Sequence, residues 1–363
     1  MGPGVTDAEP RRRRIRYLLA AGRTALGLLL LAWVLSRVNW VDREIVDPDG
    51  AVAVSPGVLS SIAGAHPVML LASVFLMIAA MVAAAFRWRM LLAAQDVIIG
   101  PGRIVKLAFL AEFFSTLMPG RLGGDAVKAY CVAKESSRTA GVLVSVAVDR
   151  IAGLFGLACL SALMLAVLWL SDTAGSRVVR APFMSVCVVV GAAIALGVLL
   201  SPRLRRLFRV SRLLEHVPFA EALSAAFAAV DEYRGRPRLL VRTMGLTVLA
   251  HILDVMAVAT IGSSLALDIA WYDYLLYVPL ILIITALPIT PGAIGVMEEL
   301  FVLYLGVANN IGGAFALAVL VRLATVLCAL PGALFLDPRY PGSGSPRNRC
   351  PRGVRGTGWS CTR

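Results

Sequence analysis

The chain alternates between long apolar segments and shorter polar stretches, and the polar stretches carry most of the charged residues. A helix needs roughly 20 mainly apolar residues to cross a hydrocarbon core about 30 Å thick. Six segments meet this requirement, and each predicts a full membrane span: Tyr17 to Ser36, Pro67 to Phe86, Thr139 to Leu170, Arg180 to Leu200, Leu239 to Leu267 and Ile311 to Leu336. The pattern therefore predicts an all-α polytopic membrane protein.

Two further pairs of apolar segments are interrupted by proline and glycine. Ile104 to Met118 precedes Arg121 to Lys134, and Tyr274 to Pro288 precedes Gly292 to Val307. Because proline removes a backbone donor and glycine weakens a helix, each pair predicts a broken, re-entrant helical hairpin. The hairpins occupy corresponding positions in the two halves, which predicts a pseudo-inverted repeat of the kind found in transporters. The second pair is also compatible with two short full spans.

The distribution of arginine predicts the orientation in the membrane. Arginine-rich stretches, among them residues 11–16 and 201–238, are expected on the cytoplasmic side, and the acidic loops are expected outside. The chain then has a basic cytoplasmic N-terminus (1–16), a transmembrane domain (17–336) and a disordered tail rich in Arg, Gly and Pro (337–363). Both termini face the cytoplasm in this arrangement, and Arg37 to Ala65 forms a polar outer loop.

Composition agrees with a membrane protein and excludes several other classes. Of the 363 residues, 59% are hydrophobic and only 16% are charged, and the mean hydropathy of +0.81 lies outside the range of soluble domains. The net charge of +13 sits beside apolar segments, which favours anionic lipids over nucleic acid as the counter-charge. The sequence contains no familiar catalytic, nucleotide-binding or metal-binding motif, so we expect no catalytic residues, no cofactor and no metal.

Charged residues inside the predicted spans are the first candidates for function. An ionisable side chain at the centre of a span costs roughly 2.5 to 3.5 kcal/mol on insertion scales, so it needs a partner or water. We expect Asp149 or Arg150 to pair with Arg322 or Glu298 across the two halves. His251 and Asp254, three positions apart, are compatible either with proton relay or with a structural histidine. The predicted intramembrane charge network comprises Asp149, Arg150, His251, Asp254 and Glu299.

The two proline-glycine motifs are the second set of candidates. A helix that begins after such a break directs free backbone N–H groups and the positive end of its dipole towards the break, which favours an anion. A guanidinium such as that of Arg322 can hold a phosphate through two hydrogen bonds. The predicted lipid or anion site comprises Pro119, Gly120, Arg121, Gly123, Gly124, Asp125, Lys128, Pro291, Gly292, Gly295, Glu298 and Arg322. The alternative is that these glycines are notches for helix packing.

These motifs resemble the transmembrane domain of the lysylphosphatidylglycerol synthases, also called the flippase-like or UPF0104 family. The resemblance rests on the run from Phe114 to Asp125, on Asp149 with Arg150, on the run from Pro291 to Glu298, and on Arg322. In the two-domain synthases this domain moves an aminoacylated phospholipid between leaflets, and a soluble domain attaches the amino acid. Only a short tail follows Leu336 here, so we expect no aminoacyl transfer.

The resemblance implies a stand-alone lipid translocase in the plasma membrane. Its expected cargo is an anionic or aminoacylated phospholipid or a polyprenyl-linked lipid, and its expected partners are such lipids, a second copy of the chain, or a separate lipid-modifying enzyme. One alternative is a membrane glycosyltransferase that uses a polyprenyl-phosphate sugar, for which Asp125 and Glu112 would form an exposed acid pair. Another is an accessory subunit of a different membrane enzyme.

Overall fold

The computed structural model describes most of the membrane domain. It covers residues 21–22, 25–26, 28–36, 38–46, 52–55, 57–117, 122–136, 138–170, 203, 235–287, 289–306 and 311–335. The predicted span Arg180 to Leu200, most of the arginine-rich segment after it and the C-terminal tail lie outside these residues. Of the predicted first span, residues 21–22, 25–26 and 28–36 are described and are helical.

Helices make up almost all of the described chain, so the fold is all-α, as predicted. The exception is a small antiparallel hairpin in the polar loop from Arg37 to Ala65. In chain order the elements are β1 (Arg43–Val46), β2 (Val52–Ser55), α1 (Val58–Ala63), α2 (Pro67–Ala94), α3 (Pro101–Leu117), α4 (Leu122–Ala133), α5 (Thr139–Leu170), α6 (Pro237–Ser264), α7 (Trp271–Ala286), a 3-10 turn (Pro291–Ala293), α8 (Val296–Leu305), α9 (Ile311–Ala329) and a closing 3-10 helix (Leu330–Phe335).

Four of the described helices are long and apolar enough to cross a membrane. They are α2, α5, α6 and the continuous segment Ile311–Phe335, and their mean hydropathy over the best window lies between 1.9 and 2.6. These helices establish a polytopic, multi-pass membrane protein. The predicted limits of α5 are confirmed, whereas α2 runs from the predicted end at Phe86 on to Ala94. Arg87 and Trp88 therefore lie inside the helix, where both side chains are buried.

The two predicted hairpins appear as pairs of shorter helices. Helix α3 has 17 residues and α4 has 12, and in the second half α7 has 16 and α8 has 10. At about 1.5 Å per residue the longest of these reaches about 26 Å, which is less than the roughly 30 Å of a hydrocarbon core. The break between α7 and α8 is described almost completely, whereas residues 118–121, between α3 and α4, lie outside the described part.

Corresponding helices of the two halves pack together. Helix α2 of the first half runs along α6 of the second, and α5 contacts both α6 and α7. Helix α9 lies at the centre of the bundle, in contact with α1, α2, α3, α6 and α8. Its small residues, among them Ala314, Ala316 and Ala318, are fully buried and allow the neighbouring helices to approach closely.

The predicted polar loop from Arg37 to Ala65 contains regular secondary structure. Strands β1 and β2 pair in antiparallel register, with Arg43 opposite Ser55, and α1 follows directly. The carboxylate of Asp42 accepts hydrogen bonds from the Gly57 backbone N–H at 2.7 Å and from the Ser60 hydroxyl. The polar loop thus contains a short hairpin, and β-branched residues in both segments favour this strand pairing.

Candidate functional site

The break in the second half is a strained turn between α7 and α8. Gly292 has φ of 60°, Ala293 has φ of 54° and Gly295 has φ of 81°, so three of four consecutive residues lie in the left-handed region. Glycine adopts this conformation without penalty, whereas a residue with a Cβ pays a steric cost there of roughly 1 to 2 kcal/mol. Ala293 is also buried. The structure thus confirms a helix break at the Pro291 motif and shows that it contains local strain.

Arg322 holds this strained turn from the neighbouring helix α9. Its Nη1 donates to the carbonyl oxygen of Gly292 at 3.0 Å, and its Nη2 donates to that of Ala293 at 3.3 Å. Its Nε donates to Oε1 of Glu298 at 2.7 Å. All three nitrogens of the guanidinium therefore bind groups of the same half of the protein.

Glu298 occupies the start of α8. Its Oε2 accepts a hydrogen bond from the Gly295 backbone N–H at 2.8 Å, so the side chain caps its own helix. A carboxylate at this position is stabilised by the positive end of the helix dipole, which is where we predicted an external anion. Within the described chain this end of α8 thus already carries an anion, namely Glu298. Binding of a lipid phosphate at Arg322 stays a prediction.

The first half contains a denser group of buried charges. The Nε of Arg87 donates to Asp149 at 2.8 Å, and Lys128 lies 3.6 Å from the same carboxylate. Lys128 lies 2.8 Å from Asp125, which also binds Arg150. We call Arg87, Asp125, Lys128, Asp149 and Arg150 the charge cluster. It joins α2, α4 and α5, and a hydrogen bond from Arg87 to Thr247 at 3.1 Å links it to α6.

The predicted ion pair between the two halves is wrong. Asp149 binds Arg87 and Lys128, whereas Glu298 binds Arg322, so each acid finds its cation within its own half. Arg87 was not among the predicted charged partners, because its position beside Trp88 at the end of an apolar run is typical of the membrane interface. The apolar residues that continue after it to Ala94 were the signal that it lies within the helix.

The two halves nevertheless share one arrangement. In each, an acid in the first turn of the second short helix pairs with an arginine on the long helix that follows. Asp125 and Arg150 are 25 positions apart, and Glu298 and Arg322 are 24 positions apart. The pairs differ in exposure, since the side chain of Arg150 is 40% exposed and that of Arg322 is 30% exposed.

The structure describes two glycines of the first proline-glycine motif, Gly123 and Gly124. Pro119, Gly120 and Arg121 lie outside the described residues. Gly124 is buried against α3, and a Cβ there would overlap the carbonyl oxygen of Ala111 and the hydroxyl of Ser115. At Gly124 the close contact therefore supports the packing interpretation. The neighbouring Gly123 is half-buried in α4.

His251 lies in a groove of α5. Its Nε2 is 2.9 Å from the carbonyl oxygen of Gly153, which can only accept, so Nε2 carries the proton. Its Nδ1 is buried and has no hydrogen-bond partner among the described residues. A Cβ at Gly156 would overlap Thr247 and lie 3.2 Å from the His251 ring. Proton relay between His251 and Asp254 stays a prediction, and both Asp254 and Glu299 are half-buried.

One member of the acid pair expected for a glycosyltransferase is not exposed. Asp125 is buried, and Lys128 and Arg150 both bind its carboxylate. Glu112 lies on α3 and is half-buried. Within the described residues no group of three or more metal-binding side chains comes together. What the geometry provides instead is cationic side chains held beside the first turns of α4 and α8.

This is the architecture of a multi-pass membrane protein in which buried charges accompany broken helices. The model of the Lysylphosphatidylglycerol synthase TM region matches residues 51–332, which include all the described helices from α1 to α9. The chain therefore belongs to this family of lipid-related membrane proteins, and the resemblance noted in its motifs is confirmed. A search of curated proteins finds no match.

Proposed function

We propose that the protein is a lipid translocase, which moves a phospholipid with an anionic or aminoacylated headgroup, or a polyprenyl-linked lipid, between the leaflets of the plasma membrane. The observation that carries the proposal is the doubled arrangement: each half has two short helices in succession, and an acid at the start of the second one pairs with an arginine. Irregular backbone is tolerated at bilayer depth only where protein buries it or where it lines a wet cavity. Paired breaks of this kind accompany substrate sites in transporters.

The lengths of the short helices support re-entrant hairpins. Helix α8 has 10 residues, or about 15 Å, and α4 has 12, or about 18 Å. Each is about half to two-thirds of a hydrocarbon core, so each hairpin enters and leaves on one side. The distribution of arginine favours an arrangement in which the two hairpins enter the membrane from opposite faces and both termini lie in the cytoplasm.

The charge cluster is the proposed contact for the lipid headgroup. It brings three cationic side chains to two carboxylates within a part of the protein that is largely buried. Arg150 is its most exposed member, at 40% of the side chain. A guanidinium presents five donors in a planar fork, so one edge can bind Asp125 while another reaches a phosphate. Lys128, which is 13% exposed, adds positive charge beside it.

Translocation can be tested with purified full-length protein in liposomes. The vesicles contain fluorescently labelled phosphatidylglycerol or, for comparison, equally labelled phosphatidylcholine, and no sugar donor. External dithionite bleaches only the outer leaflet, so protein-dependent loss of the inner-leaflet signal measures movement. We expect faster movement of phosphatidylglycerol than in protein-free vesicles. Equal rates with and without protein for both lipids would contradict the proposal.

A pair of arginine variants tests the headgroup contact. Arg150→Gln removes the exposed guanidinium, and we expect the rate for phosphatidylglycerol to fall about tenfold, as for a lost hydrogen bond to a charged group. Movement of phosphatidylcholine should change little. Arg138→Gln is the matched control, because Arg138 forms an exposed ion pair with Asp96 at 2.9 Å away from the charge cluster. A similar loss in both variants would contradict the assignment.

A further inference from the structure

We infer that the two equivalent acid–arginine pairs have different tasks: Arg150 contacts the headgroup, whereas Arg322 is a positioning residue that holds the second helix break in its strained shape. The inference rests on the proposed function, because it assigns different roles in translocation to the two halves. It changes the role expected of Arg322 from a phosphate ligand to a restraint on the backbone.

The first argument is the direction of the hydrogen bonds of Arg322. Two of its nitrogens bind the carbonyl oxygens of Gly292 and Ala293, and the third binds Glu298. Nη2 also lies 3.8 Å from the sulfur of Met297. The partners thus surround the guanidinium on the side of the turn, and they connect α9 to the turn and to the start of α8.

The second argument is the strain at Ala293. A non-glycine residue with positive φ persists only when its surroundings impose it. Thr290 supplies part of this restraint, because its hydroxyl donates to the carbonyl oxygen of Ile294 at 2.9 Å across the turn. Arg322 is the only charged side chain among the described residues that binds the turn carbonyls of Gly292 and Ala293.

The third argument is the contrast with Arg150. Its pair with Asp125 lies beside Lys128, with Arg87 and Asp149 close by, so positive charge accumulates around it. Around Arg322, Glu298 neutralises the guanidinium and caps α8 at the same time. An anionic headgroup is therefore attracted more strongly to the charge cluster than to Arg322. The guanidinium of Arg322, which binds carbonyl oxygens, is better suited to fix the backbone of the break.

Local opening of the turn can be measured with a buried cysteine. Ala293→Cys is introduced into the full-length chain after its own cysteines are replaced, and a membrane-permeable maleimide labels the thiol only when the turn opens. Arg322→Lys keeps the charge but loses the fork that binds two carbonyls. We expect labelling at position 293 to accelerate about fivefold, the factor that one lost hydrogen bond of about 1 kcal/mol produces.

Three controls make the result specific. Ala80→Cys, in the buried part of α2, reports general loosening, and its labelling should not change. Arg150→Lys and the surface variant Arg138→Lys should leave labelling at position 293 unchanged. An unchanged rate at position 293 in Arg322→Lys, or an equal rise at positions 293 and 80, would overturn the inference.

Lipid selectivity separates this inference from the proposed function. In liposomes Arg322→Lys should slow the movement of phosphatidylglycerol and of phosphatidylcholine between leaflets by the same factor. Arg150→Gln should slow mainly the movement of phosphatidylglycerol. A selective loss of phosphatidylglycerol in Arg322→Lys would identify Arg322 as a headgroup contact and overturn the inference. If the wild-type protein moves no lipid while Arg322→Lys still accelerates labelling, the positioning role holds and the proposed function fails.

Discussion

The Nε of Arg322 donates a hydrogen bond to Oε1 of Glu298 at 2.7 Å, while Oε2 of the same glutamate caps the helix that begins at Val296. One carboxylate thus links the arginine of α9 to the start of α8. The pair is largely buried on the glutamate side, where the side chain is 5% exposed. Removal of one partner leaves the other charge without compensation, which is the main energetic consequence of such a pair.

The Arg322–Glu298 pair should show strong energetic coupling. Loss of one partner of a buried pair costs on the order of 3 to 5 kcal/mol, and we expect about 3 kcal/mol for Arg322→Ala because the arginine is partly exposed. The double variant with Glu298→Ala should lose less than the sum of the two single variants. Unfolding of the detergent-solubilised protein measures all four states. Additive losses would show that the two charges do not depend on each other.

A second double-mutant cycle tests the partners of Asp149. We expect a coupling of at least about 1 kcal/mol between Asp149→Asn and Arg87→Gln, because the two side chains are in contact. The cycle of Asp149→Asn with Arg322→Gln should be additive within roughly 0.5 kcal/mol, since neither residue binds the other. Coupling of similar size in both cycles would favour the ion pair between the halves that the sequence suggested.

Gly124 should be intolerant of even a methyl group. A Cβ at this position overlaps backbone and side-chain atoms of α3, so Gly124→Ala should destabilise the protein by about 1 to 3 kcal/mol, as overpacking does. Gly245 on α6 is the matched control, because a Cβ there meets nothing within 4 Å. Gly245→Ala should be neutral or slightly stabilising. A stable Gly124→Ala protein would show that α3 and α4 can separate without cost.

The β1–β2 hairpin should loosen at low pH, because Asp42 connects its start to Gly57 and Ser60. Hydrogen bonds from Gly57 and Ser60 to its carboxylate lower the pKa of Asp42 below its ordinary value. Because the folded pKa is the lower one, the stabilisation is present above the unfolded value of about 3.9 and is lost as the pH falls through the folded value. Hydrogen exchange of the hairpin between pH 5 and pH 2 should show this loss. In Asp42→Asn the pH dependence should be absent, and a persistent transition would implicate another group.

The proposed topology predicts which side of the membrane two exposed positions face. Asp268 lies in the loop between α6 and α7, and Gly235 precedes α6. Single cysteines at these positions in intact cells should react with an impermeant maleimide at position 268 and be protected at position 235. Permeabilised cells provide the control, because both positions should then react. Labelling of position 235 in intact cells would invert the orientation.

Hydropathy and local backbone chemistry were enough to predict much of this protein from its sequence. The limits of α5 and the helix break at Pro291 followed from the length of apolar runs and from the properties of proline and glycine. Both signals depend on residues that are close together in the sequence, so they can be recognised without knowing the fold. The β1–β2 hairpin was missed because it pairs two segments of only four residues within a stretch whose charged residues suggested a loop.

Only the tertiary structure decided which charges meet. Arg87 and Asp149 are 62 positions apart, and the hydrogen bond from Arg87 to Thr247 spans 160 positions. Such contacts depend on how each helix is rotated and which helices are neighbours, and packing of side chains along whole helices sets both. The sequence showed that Asp149 and Arg322 needed partners, because an uncompensated charge in a membrane is costly. Packing within each half places Asp149 beside Arg87 and Arg322 beside Glu298.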